Sequence, residues 1–162
     1  MEIFDLFEQL HKREIRYLLC GGLAVNIYGI PRMTTDIDLL VDFEEENISK
    51  FESAMKFLEY HASIPVSLKT MLDKKERTKI IKDKNLIAYS FFNARSGYMT
   101  LDVLIDVPFS FDLMWTQREI RNQGEIPVNL VSVQQLIDMK NYSNRKQDKE
   151  DVILLSNLLK NG

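Results

Sequence analysis

The sequence predicts an α/β (α+β) domain in which helices flank a mixed β-sheet. Short apolar runs alternate with longer amphipathic segments, and there are no internal repeats or low-complexity linkers. Two of these runs are joined by the turn Asn93–Gly97, which indicates an antiparallel hairpin. The chain has 162 residues, of which 45% are hydrophobic, and this is enough for one sizeable core. We therefore expect a single domain over residues 1–162.

Periodicity and helix signals define the elements of the first half. They are a helix at Ile3–Lys12, a strand at Ile15–Cys20, a short helix at Leu23–Tyr28, a strand at Asp36–Val41, and helices at Glu44–Leu58 and Ser67–Ile81. Phe4, Phe7 and Leu10 lie on one side of the first helix. The helix that begins at Glu44 has an acidic first turn, which suits the helix dipole.

Turn residues and proline delimit the second half. Its elements are strands at Leu86–Phe92 and Met99–Ile105, a helix at Phe111–Arg121, a strand at Ile126–Val131, and two helices, one ending at Tyr142 and one at Gln147–Leu159. Pro108 ends the second strand, and Pro127 places the third at a sheet edge. Ser132 and Gln135 form a capping box that opens the helix to Tyr142.

A glycine pair, Gly21-Gly22, separates the apolar run Tyr17–Cys20 from the short helix that follows it. Glycine leaves room for a close approach to the backbone. Backbone amides at such a turn, with the positive end of a helix behind them, suit phosphate oxygens.

Two carboxylates follow at Asp36 and Asp38. On a strand, residues i and i+2 share one face and lie roughly 6.6 Å apart. Carboxylates placed in this way can hold one divalent cation, or bridge two. Together with the glycine pair, they indicate a site for a metal-bound nucleoside triphosphate.

These motifs resemble the nucleotidyltransferase superfamily that shares its fold with DNA polymerase β. The signature of that superfamily is G-G or G-S, a short spacer and D-x-D, and here thirteen residues separate Gly22 from Asp36. The segment R-x-T-x-D-I-D-L at Arg32–Leu39 is similar to the AbiEii toxin group. The C-terminal third is similar to the same group in three features: L-I-x-M-K at Leu136–Lys140, Arg145, and D-x-x-D at Asp148 and Asp151.

The resemblance implies the nucleotidyltransferase fold and transfer of NMP from an NTP to an acceptor hydroxyl, with Mg²⁺ or Mn²⁺. It further implies a toxin-like enzyme that acts on RNA, tRNA included, or on protein, and that has an antitoxin partner. Which NTP and which acceptor are used stays open. Gly22 stands where other superfamily members have serine, so backbone amides must hold the phosphates there.

Asp102 is the candidate for a third metal-binding and catalytic carboxylate. It lies mid-strand in Thr100–Leu104, where an acid is costly to bury unless it is paired, and a metal would pair it. The alternative is an edge-strand aspartate that faces water, and Asp106 is the reserve candidate. In the superfamily the third acid lies on a strand beside D-x-D.

Two basic residues are candidates for nucleotide binding. Arg32 either neutralises the triphosphate or balances Asp36 and Asp38. Lys140, in the last turn of its helix, either favours the helix dipole or, as the resemblance implies, contacts the triphosphate. Arg145, Asp148 and Asp151 fall three residues apart and are interpreted as a structural salt-bridge ladder.

Composition excludes several classes of protein. One cysteine excludes an internal disulfide, and two distant histidines make a zinc site improbable. The start of the chain lacks signal-peptide features and no run is long enough for a membrane span, so we expect a cytoplasmic protein. The net charge of −3 argues against a broad nucleic-acid surface. The segment Lys69–Lys84, with seven bases and three acids, is interpreted as a solvated helix face that could also meet a polyanion.

Two further functions remain as alternatives. An antibiotic nucleotidyltransferase would need an acidic pocket for a cationic drug. A non-catalytic binding module or antitoxin with the same fold would have lost a carboxylate, whereas all three candidates are present.

Overall fold

A seven-stranded mixed β-sheet organises the computed structural model, which describes residues 3–84, 88–95, 97 and 99–162. The strands are β1 (Tyr17–Cys20), β2 (Asp36–Val41), β3 (His61–Ala62), β4 (Ala88–Phe92), β5 (Thr100–Leu104), β6 (Glu119–Gln123) and β7 (Ile126–Leu130). The helices are α1 (Ile3–Lys12), α2 (Gly21–Ile27), α3 (Glu45–Phe57), α4 (Lys74–Lys84), α5 (Phe111–Thr116), α6 (Val133–Ser143) and α7 (Lys146–Asn161). The strand order is β3-β4-β5-β2-β1-β7-β6, and the predicted mixed α/β class is confirmed.

The centre of the sheet combines parallel and antiparallel pairs. Strand β1 runs antiparallel to β2 and parallel to β7, while β2 runs parallel to β5 and β5 antiparallel to β4. All four residues of β1 are buried. Strand β2 begins with alternate burial, which leaves Asp36 and Asp38 partly accessible while Ile37 and Leu39 enter the core.

Helices α1 and α3 cover one side of the sheet, which we call the back face. Phe7 of α1 packs against Tyr17 of β1, with ring centroids 6.0 Å apart. Phe51 of α3 meets Phe91 of β4 edge to face at 5.9 Å. Because side chains alternate along a strand, the residues between these buried positions point to the opposite side, the front face.

The helix predicted at Phe111–Arg121 is too long. It ends at Thr116, and the chain then forms the edge strand β6, which pairs with β7 through a turn containing Gly124 at φ +64°. The prediction that Pro127 places its strand at an edge is also wrong, since β7 lies between β1 and β6. Strand β7 pairs with β1 at Leu130. Pro127 lies outside this pairing, so its missing amide costs no hydrogen bond between β7 and β1.

The helix predicted at Ser67–Ile81 is two elements, a 3₁₀ helix at Leu68–Leu72 and then α4. Asp73 divides them, because its carboxylate accepts hydrogen bonds from the amides of Lys75 and Glu76 at the start of α4. The short strand β3 was not predicted. In the predicted hairpin, Leu86, Ile87 and Ser96 lie outside the described residues, and the described parts of β4 and β5 pair antiparallel as expected. None of the described helices is long and apolar enough to cross a membrane.

Candidate active site

The register between β2 and β5 brings the three predicted carboxylates onto one patch of the front face. Asp102 lies directly beside Asp38, and Thr100 lies beside Asp36. Neighbouring strands are about 4.8 Å apart, so side chains in one register row are adjacent. The resemblance to the superfamily implies that Asp102 lies on a strand next to D-x-D, and β5 pairs with β2 in that position. Asp106, the reserve candidate, is exposed beyond the end of β5.

Two hydroxyls orient the outer carboxylates. The Ser90 hydroxyl of β4 donates a 2.6 Å hydrogen bond to Asp102, and the Thr100 hydroxyl donates a 2.7 Å bond to Asp36. Sequence reasoning missed both residues. Thr100 could have been found, since it lies two residues before Asp102 and therefore on the same face. Ser90 depends on the register between β4 and β5, which the sequence does not reveal.

The patch holds more negative charge than the fold neutralises. Burial, followed by the charges of Asp102 and Asp36, raises the pKa of Asp38 to about 6. Burial also raises the pKa of Asp102, against the hydrogen bond from Ser90 that lowers it. Carboxylate oxygens are the ligands that Mg²⁺ and Mn²⁺ prefer, so the donor set fits a hard divalent cation.

The carboxylates are not held as a ready-made cage. Within the described residues, no three acidic, histidine or cysteine side chains are grouped closely enough to form a metal site. The hydrogen bonds from Thr100 and Ser90 turn Asp36 and Asp102 toward their own neighbours. Side-chain rotation would therefore have to accompany cation binding.

Gly21 packs directly against the carboxylate of Asp38. A Cβ atom at this position would lie 2.0 Å from Asp38 Oδ2, and the backbone has φ +68°, so glycine is required on both counts. At Gly22, a Cβ atom would lie 2.9 Å from the hydroxyl of Thr34 and 3.2 Å from the guanidinium carbon of Arg32. The glycine pair thus closes the β1 side of the carboxylate patch. Helix α2 begins at Gly21, earlier than predicted.

Arg32 is tied to the last helix. Its guanidinium forms an ion pair with Asp151 of α7, a residue that is 1% exposed. Its backbone amide donates to the side chain of Asn26, which fixes the loop between α2 and β2. Because the Arg32 guanidinium lies next to Gly22, the ion pair places α7 close to the glycine pair. A contact between Arg32 and the triphosphate stays a prediction.

Lys140 lies in the last turn of α6, as predicted, but it is buried. Its ammonium is 2.8 Å from Asp151 and 3.3 Å from Asp148, and Arg145 binds Asp148 at 2.9 Å. The interpretation of Arg145, Asp148 and Asp151 as structural salt-bridge residues agrees with the Arg145–Asp148 pair. Arg145, however, precedes α7, and both aspartates are 1% exposed and also bind Lys140, so the residues belong to a buried network and not to a ladder along one helix. The positive charges of Arg145 and Lys140 lower the pKa of Asp38, against its burial.

A well-formed cavity lies away from this patch. It measures about 770 Å³, lies between α3 and the β3–β4 edge, and is lined by none of the three carboxylates. The candidate site is instead an open patch on the front face.

The sequence profile of the nucleotidyl transferase AbiEii toxin, from a type IV toxin–antitoxin system, matches residues 5–145. The chain belongs to the AbiEii nucleotidyltransferase family. The AbiEii match includes Gly21, Asp36, Asp102 and Lys140 and ends just before α7. A comparison with curated proteins gives no match.

Solved structures with this fold include an antibiotic-resistance factor, a lincosamide antibiotic adenylyltransferase and a nucleotidyltransferase-like protein. The solution structure of the resistance factor ANT(2'')-Ia has a TM-score of 0.59 at 16% identity, over 97% of this chain and 82% of that one. The lincosamide adenylyltransferase LnuA with lincomycin has a TM-score of 0.60 at 14% identity, over 96% and 97%. An antigenic nucleotidyltransferase-like protein from Paracoccidioides brasiliensis has a TM-score of 0.56 at 18% identity, over 94% and 72%. These likenesses support the fold, and the AbiEii match supports a nucleotidyltransferase.

Proposed function

We propose that this nucleotidyltransferase moves a nucleoside monophosphate from an NTP to an acceptor hydroxyl and releases pyrophosphate. One observation carries the proposal. The β2–β5 register gathers Asp36, Asp38 and Asp102 on one open patch, where their charges help raise the pKa of Asp38 to about 6. A patch of excess negative charge on an accessible sheet face suits a divalent cation and the phosphates that it would carry.

Asp36, Asp38 and Asp102 would hold the Mg²⁺ or Mn²⁺. The bound cation would supply neutralisation of the charge on the phosphoryl oxygens. Gly21 packs against Asp38 and Gly22 against Thr34 and Arg32. We propose that the backbone amides of this glycine pair donate to triphosphate oxygens. Because position 22 has no side-chain hydroxyl, only those amides and the nearby positive charges would hold the triphosphate oxygens.

Asp102 is the proton acceptor in the proposed reaction. The acceptor oxygen forms a bond to the α-phosphorus, the bond to the pyrophosphate oxygen breaks, and the hydroxyl proton passes to Asp102. Ser90 donates a hydrogen bond to one oxygen of Asp102. We propose that the other oxygen serves the cation and the acceptor hydroxyl.

Arg32 and Lys140 supply positive charge behind the patch. Both bind Asp151, so in the resting protein their charge is largely balanced. We propose that they reach the triphosphate once it is bound, and that the acceptor is RNA, such as tRNA, or a protein. The toxin–antitoxin context of the family supports a protein antitoxin as partner.

Transfer is tested with purified protein, Mg²⁺ or Mn²⁺ and each of four radiolabelled NTPs. A tRNA pool, a protein extract, tobramycin and lincomycin serve as separate acceptors. We expect label to enter the RNA or protein pool, and Asp36→Asn, Asp38→Asn and Asp102→Asn each to abolish labelling. The matched control is Asp106→Asn, an exposed aspartate just beyond the same strand, which should keep it.

The reverse pattern, loss in Asp106→Asn with normal labelling in Asp102→Asn, would show that the third carboxylate is misassigned. Labelling of the antibiotics alone would favour an antibiotic nucleotidyltransferase. No labelling with any NTP or acceptor would favour the non-catalytic binding module.

A further inference from the structure

The register row that contains Asp36 continues outward to two exposed rings. Thr100, beside Asp36, is paired with Phe92 of β4, and Phe92 is paired with His61 of β3. Residues directly opposite each other on paired strands point to the same face, so all four side chains lie on the front face. At about 4.8 Å per strand, Phe92 lies about 10 Å and His61 about 14 Å from Asp36.

The fold itself does not bury these rings. Phe92 is 50% exposed, whereas Tyr89 and Phe91 of the same strand are 1% and 5% exposed on the back face. His61 is also exposed. The two ring centroids are 6.0 Å apart at an interplanar angle of 45°, so together they present an open aromatic surface. Single exposed apolar residues are common, but this pair lies in the same row as the carboxylates.

The two sides of the carboxylate patch differ in access. On the β1 side, Gly21 packs against Asp38 and leaves no room even for a methyl group. On the β4 side, Ser90 lies beside Asp102, and the half-exposed Phe92 lies two residues further along β4 on the same face. An acceptor that brings its hydroxyl to Asp102 therefore comes over β5 and β4, across the exposed rings.

We propose that Phe92 and His61 form a stacking platform for an unpaired nucleobase of an RNA acceptor. This inference rests on the proposed function and names the part of the acceptor that binds beside the site. Exposed aromatic rings on a sheet bind single-stranded nucleic acid by stacking on successive bases.

A short single-stranded RNA with a terminal 2-aminopurine tests the platform, because the fluorescence of that base falls when it stacks. The titration is run without NTP, so no transfer takes place. We expect Phe92→Leu to weaken binding by about 5- to 150-fold and to abolish the quenching, as for the loss of one stacked base. Phe92→Trp, which keeps a ring, should retain both. His61→Leu should give a smaller loss of the same kind.

The matched control is Phe57→Leu, the same change at a ring that is 63% exposed on α3, on the back face. It should leave the titration unchanged. Equal affinity and quenching in Phe92→Leu and the parent would overturn the platform, and so would failure of the parent to bind the RNA. A duplex RNA that competes as well as the single strand would also overturn it, because a duplex hides its base faces.

A second measurement separates this inference from the proposed function. Stabilisation by Mg²⁺ with NTP, followed by thermal melting, should be the same in Phe92→Leu and in the parent. If Phe92→Leu keeps that stabilisation and the RNA titration does not change, the platform is wrong and the transferase stands. If the parent shows no stabilisation, the transferase fails, whatever the RNA titration shows.

Discussion

Asp38 is the residue in which burial and charge repulsion act together. It lies between Gly21, which packs on its carboxylate, and Asp102, which lies beside it in the register. Its pKa is raised from 3.8 to about 6, first by burial and then by the two other aspartates. An aspartate that holds its proton more tightly in the folded protein than in the unfolded chain makes stability depend on pH.

The pH dependence has a defined sign. Between about pH 4 and pH 6 the folded protein binds the Asp38 proton that the unfolded chain has released, so the free energy of unfolding falls as pH rises. Asp38→Asn removes this term. In metal-free urea denaturation, we expect the stability of Asp38→Asn relative to the parent to grow by about 2–3 kcal/mol from pH 4 to pH 7. A difference that is constant with pH would contradict the raised pKa.

Gly21 gives a second prediction for a single residue. Gly21→Ala adds a Cβ atom 2.0 Å from Asp38 Oδ2 and strains a backbone at φ +68°. Gly124→Ala is matched in backbone, with φ +64°, but its Cβ atom meets no heavy atom of the described residues within 4 Å. Both should lose about 1–2 kcal/mol of stability to the left-handed conformation. Gly21→Ala should lose more, together with transfer activity, and equal losses in labelling and melting would exclude a special role for Gly21.

Among the elements, the pair α6 and α7 depends on buried charge. Lys140 of α6 is 5% exposed and lies between Asp148 and Asp151 of α7. Removing one partner of a buried ion pair leaves an uncompensated charge, which is far more costly than the net value of the pair.

Lys140→Met should therefore destabilise the protein by about 3–5 kcal/mol. The loss should lie toward the lower figure, because Arg32 and Arg145 still bind the two aspartates. Thermal melting of Lys140→Met is compared with Lys12→Met, which breaks an exposed pair with Glu8 and should cost less than about 1 kcal/mol. If Lys140→Met has the same melting temperature as the parent but no longer binds NTP, then Lys140 binds the triphosphate and does not stabilise the pair of helices.

Elements with strong local signals could be predicted from the sequence. The bounds of α1 and β2 agree with the predictions, and the capping box at Ser132 opens α6 as expected. Strands β3 and β6 were missed because a two-residue strand and a polar edge strand show no apolar alternation. The basic helix α4 has no buried residue, in keeping with a solvated face.

The sequence predicted the three carboxylates of the candidate site, but it did not predict the residues that surround them. D-x-D on a strand defines its own geometry, since the side-chain period of a strand is two. The ion pair of Arg32 with Asp151 joins residues 119 positions apart, and packing of α7 alone determines it. The exposed pair Phe92 and His61 depends in the same way on the pairing of β3 with β4.

For the whole molecule, cation and nucleotide binding should appear as stability. Asp36, Asp38 and Asp102 repel one another, and a divalent cation relieves that repulsion. A ligand at about 100 times its dissociation constant adds roughly 2.7 kcal/mol, and each kcal/mol raises the melting temperature of such a domain by about 2–4 °C. We expect Mg²⁺ with NTP to raise it by several degrees, more than either alone.

Asp36→Asn serves as the control for this measurement. It should remove most of the rise and leave the metal-free protein at least as stable as the parent, because one of the repelling charges is gone. One melting temperature for the parent, with and without saturating Mg²⁺ or Mn²⁺ and every NTP, would favour a module that does not bind nucleotide.

The ion pair between Arg32 and Asp151 also bears on the time at which the enzyme becomes active during its own synthesis. A ribosome produces Gly21, Asp36 and Asp102 well before α7, and chains fold as their segments emerge. Until α7 has been made, Arg32 and Lys140 lack the buried aspartates that hold them behind the carboxylate patch. A nascent or prematurely terminated chain of this toxin-family enzyme is therefore expected to be inert in the cell that makes it.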